Sequence, residues 1–250
     1  MNDHSYLGQE LALFAQATRW KSYWISRLRP FIRGAVLEVG AGLGTNTFLM
    51  HNEEVRQWTC LEPDVAMAGQ LSRRAEQAPK ECQPRVRTGT ISSLSGEEAF
   101  DAILYIDVLE HIENDRAELA CAARHLRDGG ALVVLSPAHP WLFSPFDQAI
   151  GHYRRYTKAS LADLTPAGLR IEQAFYLDSV GLLASAANRL LLRQSLPDAR
   201  QLAFWDKILV PLSRMMDPIL GCRLGKTTVC VWRNTGTPAG HNQSLASSTT

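Results

Sequence analysis

Three groups of residues in this chain combine types and spacings suited to chemistry. The first is Glu38-Val39-Gly40-Ala41-Gly42-Leu43-Gly44. Glycines at alternate positions let backbone N–H groups approach a ligand closely, because no side chain intervenes. Glu62 follows Glu38 by 24 residues, where a carboxylate can accept both hydroxyls of a ribose. A dinucleotide turn would require glycine at position 45, and this chain has Thr45. Glu38 argues the same way, since a carboxylate in the cradle repels a pyrophosphate and suits a ligand with ammonium and sulfonium charges. The second group is Asp107-Val108-Leu109-Glu110-His111. Imidazole exchanges protons near neutral pH, so His111 is the leading general base, with a purely loop-orienting role as its alternative. The third group is the polar stretch from Pro137 to Thr157. In it His139 is a second base candidate, and His152, Arg154, Arg155 and Tyr156 are candidates for holding an acceptor. A guanidinium pairs bidentately with an anion; the bland reading is a solvated loop with Tyr153 and Tyr156 packed beneath it.

Chemistry of this kind needs a rigid frame. Val36, Leu37 and Val39 form an apolar run that suits a strand buried on both faces of a parallel sheet. The glycine turn follows, then a helix over about 45–50. The pattern predicts further strands at 58–61, 85–88, 100–106, 131–135, 171–177 and 227–232. Helices are predicted over 65–77, opened by Pro63-Asp64, and from Asn114 or Asp115 to 126, ended by Gly129-Gly130. Alternating strands and helices predict an α/β fold with a mainly parallel, doubly wound sheet. Residues 6–29 are predicted helical, with Leu7, Leu11 and Phe14 on the apolar face and Lys21 off it. Trp20, Tyr23 and Trp24 either pack on the sheet or roof the cofactor, and Trp20 is a further candidate for holding an acceptor. Apolar stripes over 180–191 and 204–219, broken by Pro211 and Pro218, predict a helical cap, a dimer interface or a membrane-resting face. Cap packing is preferred, because the opposite faces are not rich in lysine. Residues 234–250 are polar and small and are expected to be a disordered tail.

Composition narrows the class. With 46% hydrophobic and 20% charged residues, 250 residues can bury one sizeable core. Twenty-six basic against 25 acidic residues leave a net charge of +1, unlike a general nucleic-acid binder. The five cysteines are scattered without C-x-x-C spacing and read as reduced core residues of a cytoplasmic protein. No secretory leader or transmembrane stretch is expected.

These motifs together resemble the class I S-adenosylmethionine-dependent methyltransferases, of the small-molecule, ubiquinone-biosynthesis-like type. The segment 36–44 is similar to their first motif and Leu61-Glu62-Pro63-Asp64 to their ribose-binding motif. Residues 100–112 resemble their fourth-strand motif and 126–132 the entry to strand five. The resemblance implies a Rossmann-like sheet of seven strands, with the last antiparallel and the cap inserted before it. It implies an N-terminal lid over 1–30, a core over 31–178 with an acceptor loop at 136–160, a cap or interface over 179–225, and the last strand at 226–233. It implies S-adenosylmethionine as cofactor. Gly40, Gly42 and Gly44 would be its cradle, Glu38 would lie near its methionine end, and Glu62 and Pro63 would be at its ribose. Thr90 and Ile91 would flank the adenine, with Thr90 replacing the acid found in many members. Ile106 and Asp107 would border the methionine moiety.

The implied reaction is in-line methyl transfer to an oxygen or nitrogen of a small acceptor, apolar or anionic. Asp107, Glu110 and His111 are similar to a metal-associated array in ubiquinone-biosynthesis O-methyltransferases. That array is widespread without metal, and none is expected here. The competing readings are a non-catalytic S-adenosylmethionine-binding protein acting through its C-terminal apolar surface and, less well supported, an NAD(P)-dependent oxidoreductase. No Asn/Asp-Pro-Pro-Tyr-like tetrapeptide follows the fourth strand, which argues against nucleic-acid methylation. A homodimer is compatible with the apolar stripes.

Overall fold

The computed structural model describes residues 17–187, 189 and 199–236. Seven strands form one sheet in the order β3-β2-β1-β4-β5-β7-β6. They are β1 (Gly34–Val39), β2 (Val55–Glu62), β3 (Arg85–Thr88), β4 (Phe100–Ile106), β5 (Leu126–Pro137), β6 (Leu169–Leu177) and β7 (Thr227–Asn234). β7 runs antiparallel to both β5 and β6, and the pairings among β1 to β5 are parallel. Val39 pairs with Leu61 on one side and Tyr105 on the other, so β1, β2 and β4 end level. That register brings the glycine turn, Glu62 and Asp107 to one edge. The chain order reverses between β1 and β4, the crevice where open α/β sheets bind ligands.

The helices are α1 (Thr18–Leu28), α2 (Thr47–Met50), α3 (Val65–Gln77), α4 (Asp115–Arg124), α5 (Pro145–Ala149), α6 (Lys158–Ala162), α7 (Ser179–Ala187), α8 (Ala199–Phe204) and α9 (Val210–Ile219). Alternate strand residues point to opposite faces, so the core has two halves. Leu104 and Val133 pack with Trp24, Leu71 and Trp205 on one side; Ile103 and Val134 pack with Leu119 and Leu161 on the other. Asp64 caps α3 by accepting from the Met67 N–H at 2.8 Å, and Asn114 caps α4 by accepting from the Ala117 N–H at 3.2 Å. Gly129 and Gly130 differ from expectation: α4 stops at Arg124, and both glycines lie inside β5, where the register to β4 shifts. A Cβ on Gly130 would sit 2.8 Å from the Arg127 carbonyl oxygen, so the bulge requires its absence.

Above the carboxyl edge, α1 and the C-terminal helices form one layer. The Asp206 carboxylate accepts from the backbone N–H groups of Arg19 (3.3 Å) and Trp20 (2.8 Å), satisfying donors that a helix start leaves open. Tyr23 donates to buried Asp217 at 2.7 Å, which also accepts from the N–H groups of Asp178 and Ser179. Pro211 does not break the helix as expected. A π turn, Trp205–Leu209, joins α8 to α9 instead. Pro211 has no N–H to offer the Lys207 carbonyl four residues back, and Arg19 donates to that oxygen at 3.1 Å. The apolar stripe lies largely on the outside. Leu202, Trp205 and Val210 are buried, whereas Phe204, Ile208, Leu212, Met215, Met216 and Ile219 are exposed. Leu7, Leu11, Phe14, Leu190, Leu191 and the expected tail from 237 lie outside the described residues, while Asn234 completes β7. No helix among the described residues is long and apolar enough to cross a membrane.

Candidate active site

Gly40, Gly42 and Gly44 all adopt positive φ, at 67°, 55° and 72°. A Cβ on Gly40 would lie 2.7 Å from Val108 and one on Gly44 would lie 2.2 Å from Leu71, so only glycine fits either place. At Gly42 a Cβ would meet nothing within 4 Å, so the space over the turn is open to a ligand. Glu62 braces the turn: its Oε2 accepts from the Gly42 N–H at 2.7 Å and its Oε1 from the Asp64 N–H at 2.9 Å. Each carboxylate oxygen keeps a second acceptor site, so Glu62 can still take ribose hydroxyls. Glu38 is placed differently from expectation. It is buried and off the cavity wall, and its Oε2 accepts from Thr47 (2.7 Å) and Trp58 (3.0 Å). It therefore ties β1 to β2 and to α2 behind the glycine turn. Burial pushes its carboxyl up to about 7, with the two hydrogen bonds pulling the other way.

The turn opens into a cavity of about 1210 Å³, roofed by Trp20, Trp24, Phe204 and Trp205. Sites for single drug-sized ligands run to about 300–1,000 Å³, so this cavity has room for two small molecules side by side. Ile106 and Asp107 line the floor, as the β4 register dictates. Asp107 has φ 54°, a left-handed conformation that turns its carboxylate into the cavity. Surrounding protein pushes that carboxyl up to about 6, offset by His152, Lys21 and Lys226. Lys21, expected off the apolar face of its helix, is buried at the wall, and burial lowers its ammonium pKa.

Opposite Asp107 stand two histidines with ring centroids 4.5 Å apart and edges to faces. Burial, with His152 nearby, lowers His111 to about 4, so its imidazole is neutral at pH 7. His152 Nδ1 lies 3.0 Å from Asp147 Oδ1, and Arg155 grips the same carboxylate through Nε (2.8 Å) and Nη2 (2.9 Å). Burial alone would raise Asp147, but His152, Arg155 and Ser144 hold it well below the usual carboxylate range. An ionised Asp147 keeps the proton on Nδ1 and leaves His152 Nε2 facing Glu110 Oε1 at 4.0 Å. Glu110 is fully buried. Its Oε2 accepts from Ser136 at 2.8 Å, its Oε1 has no hydrogen-bond partner, and burial together with Asp107 raises its pKa. Donor atoms of Glu110, His111 and His152 lie within 4.8 Å of one another, so His152 replaces Asp107 in the array read from sequence.

Three expected acceptor-loop residues lie off the cavity wall, as do Glu62, Pro63, Thr90 and Ile91. His139, with φ 67°, approaches the Gly225 carbonyl at 2.9 Å and stacks on Tyr176, a structural role in place of the expected second base. Arg154 donates to Asp115 at 2.8 Å and to the Glu113 carbonyl at 2.7 Å, fastening α4 where anion binding was expected. Tyr156 is buried and donates to Asp115 at 2.8 Å. Arg155 and Trp20 do line the cavity. Sequence reading missed Lys21 and Lys226 on the wall. The Asp147-x4-His152 spacing was the available signal for their neighbour pair, and it gained meaning only once α5 had folded.

A glycine turn, a carboxylate with free acceptor sites and a histidine–carboxylate cluster meet at a topological switch point, where open α/β sheets bind ligands. Residues 37–132 match the family described as a methyltransferase domain. Among curated proteins it is 31% identical over 158 residues to the demethylmenaquinone methyltransferase of Tropheryma whipplei (strain Twist). That alignment covers 60% of this chain and only 61% of the relative's own length. An S-adenosylmethionine-dependent methyltransferase from Clostridium acetobutylicum shares the fold with a TM-score of 0.58 at 12% identity, over 94% of this chain and all of the other. Coclaurine N-methyltransferase bound to N-methylheliamine and SAH has a TM-score of 0.58 at 13% identity, covering 87% of this chain and 72% of its own.

Proposed function

We propose that this protein moves a methyl group from S-adenosylmethionine to an oxygen or nitrogen of a small acceptor with an apolar body. The observation that carries this reading is a single cavity whose floor joins the glycine turn to the His111–His152 pair. When bound, S-adenosylmethionine supplies an electrophilic methyl group on a sulfonium that leaves without a proton. The N–H groups of the glycine turn and the Glu62 carboxylate would hold the nucleoside, and Asp107 would face the ammonium of the methionine moiety. The aromatic roof excludes water and aligns the acceptor; alignment alone contributes roughly 7–11 kcal/mol in favourable cases. A neutral imidazole then removes the proton of an acceptor hydroxyl or ammonium, typically for about 100- to 10,000-fold in rate. His111 is one candidate. His152 is the better oriented, because Asp147 fixes its tautomer and stabilises the imidazolium that forms. The demethylmenaquinone methyltransferase relative supports an apolar ring compound as acceptor class.

The test is a labelled S-adenosylmethionine assay against quinols, phenols, amines and lipidic acids, with mass and NMR analysis of the product. His152→Ala is expected to lower turnover about 100-fold or more while calorimetric affinity for the cofactor is kept. Normal turnover in both His152→Ala and His111→Ala would remove the imidazole base. Cofactor binding with no methylated product from any acceptor would favour the non-catalytic alternative.

A further inference from the structure

We infer that the cap docks on an anionic membrane surface, with the mouth of the cavity turned toward the lipid. The helical segment from α8 through α9 has three faces. Leu202, Trp205, Val210, Ser213 and Asp217 point inward and are buried. Phe204, Ile208, Leu212, Met215 and Ile219 follow at spacings of four, four, three and four, one stripe on a helix. Their exposure runs from 45% at Leu212 to 76% at Ile219, which no cap packed into its own core requires. Arg200, Lys207 and Arg214 recur every seven residues, so they run as a second exposed line along the same helix. Both acids of the segment, Asp206 and Asp217, are buried and bonded to α1 and to the start of α7.

Charge selects the occupant. Besides Lys21 and Lys226 on the cavity wall, the described residues of the cap layer, 17–33, 179–187, 189 and 199–226, hold nine Lys and Arg against two buried Asp, in a chain whose net charge is only +1. A positive layer with an apolar stripe suits anionic lipid headgroups over acyl chains. A second copy of the same face would oppose like charges across a two-fold axis. The lysine-poor polar face that speaks against a membrane in the sequence is instead an arginine face. The stripe also ends at the cavity: Phe204 is 57% exposed and forms part of the cavity wall, as does Arg200. A lipid-soluble molecule can pass from the bilayer into the site along that edge.

The test uses full-length protein with vesicles of phosphatidylcholine alone and of phosphatidylcholine with phosphatidylglycerol. Sedimentation with the anionic vesicles only, reversed by high salt, is expected. Lys207→Glu with Arg214→Glu should weaken that binding at least about 30-fold, each basic residue near an anionic surface being worth roughly fivefold. Ile208→Asp with Ile219→Asp should weaken it as well; both pairs lie on the surface, and thermal melts and cofactor affinity should match wild type. No binding to anionic vesicles, equal binding to both vesicle types, or binding unchanged in both variant pairs would overturn the inference. So would a concentration-dependent dimer abolished by Ile219→Asp in a protein that ignores vesicles.

Discussion

The cradle and the cap face each other across one cavity and are held by different kinds of contact. In the cradle the decisive hydrogen bonds join Glu62 to Gly42 and Glu38 to Thr47, 20 and 9 residues apart in sequence. In the cap, Asp206 reaches Trp20 across 186 residues and Asp217 reaches Tyr23 across 194. The cradle's charges lie behind or beneath its glycines, whereas the cap's inner carboxylates are the joints themselves. On the proposed function, cofactor binding therefore belongs to a locally specified element, and the roof over the acceptor belongs to a long-range one. Damage to one should leave the other standing.

The largest expected effect breaks the cap. Asp217→Ala strands the Tyr23 hydroxyl and two backbone N–H groups, at about 1–3 kcal/mol for each buried group left unpaired, so a loss of at least about 3 kcal/mol is expected. Denaturation monitored by Trp fluorescence should show it, with cofactor affinity changed far less than stability.

The next effect concerns pH and lies in the cradle. Burial lifts Glu38 in the folded chain to about 7, above its ordinary 4.5. Between those values the folded chain keeps a proton that the unfolded chain loses, so this group's contribution to stability falls as pH rises. At 1.36 kcal/mol per pKa unit the fall is roughly 3 kcal/mol. Glu38→Gln keeps an acceptor for Thr47 and Trp58 and should flatten the decline, as read from urea midpoints across pH 4.5–7. His111, lowered to about 4, acts oppositely: the unfolded chain holds the extra proton above that value, so its contribution rises with pH up to about 6.5. The comparison of Glu38→Gln with wild type separates the two, and an unchanged slope would remove Glu38 from the account.

The smallest effect is confined to the glycine turn. Gly40→Ala forces a Cβ against Val108 at positive φ, a strain of about 1–3 kcal/mol. Cofactor affinity should fall roughly tenfold or more by calorimetry, while the cap's Trp signal is kept. Equal affinity would break the assignment of the turn as cradle.

The same contrast decides what could be read from the sequence. β3, β4 and α3 begin and end where the pattern places them, because their signals are local: Arg85–Thr88 flanked by a proline loop and Gly89, an apolar run closed by Asp107, and Pro63-Asp64 before α3. The glycine turn is legible for the same reason. Arg154, Tyr156 and His139 are not, since each takes its partner from a distant segment: Asp115 for the first two, Gly225 for the third. Nothing near them in sequence distinguishes a cation that binds an acceptor from one that fastens a helix. Asp206 and Asp217 sit on the polar side of an apolar stripe, a pattern that ordinarily marks the solvent face. The arrival of α1, together with the start of α7, makes that side the interior.

Among the described residues, strand β7 is the last regular element, yet it lies between β5 and β6 in the sheet. Synthesis runs from the N-terminus, so β6 emerges from the ribosome with no strand beside it. The carboxylates that hold α1 emerge late as well. A nascent chain can thus complete the five-stranded cradle early, while the slot for β7 and the roof over the cavity stay open. The roof closes once Asp206 and Asp217 have reached α1, and the slot closes once Thr227–Asn234 has been made, so the site is sealed after its cradle has formed.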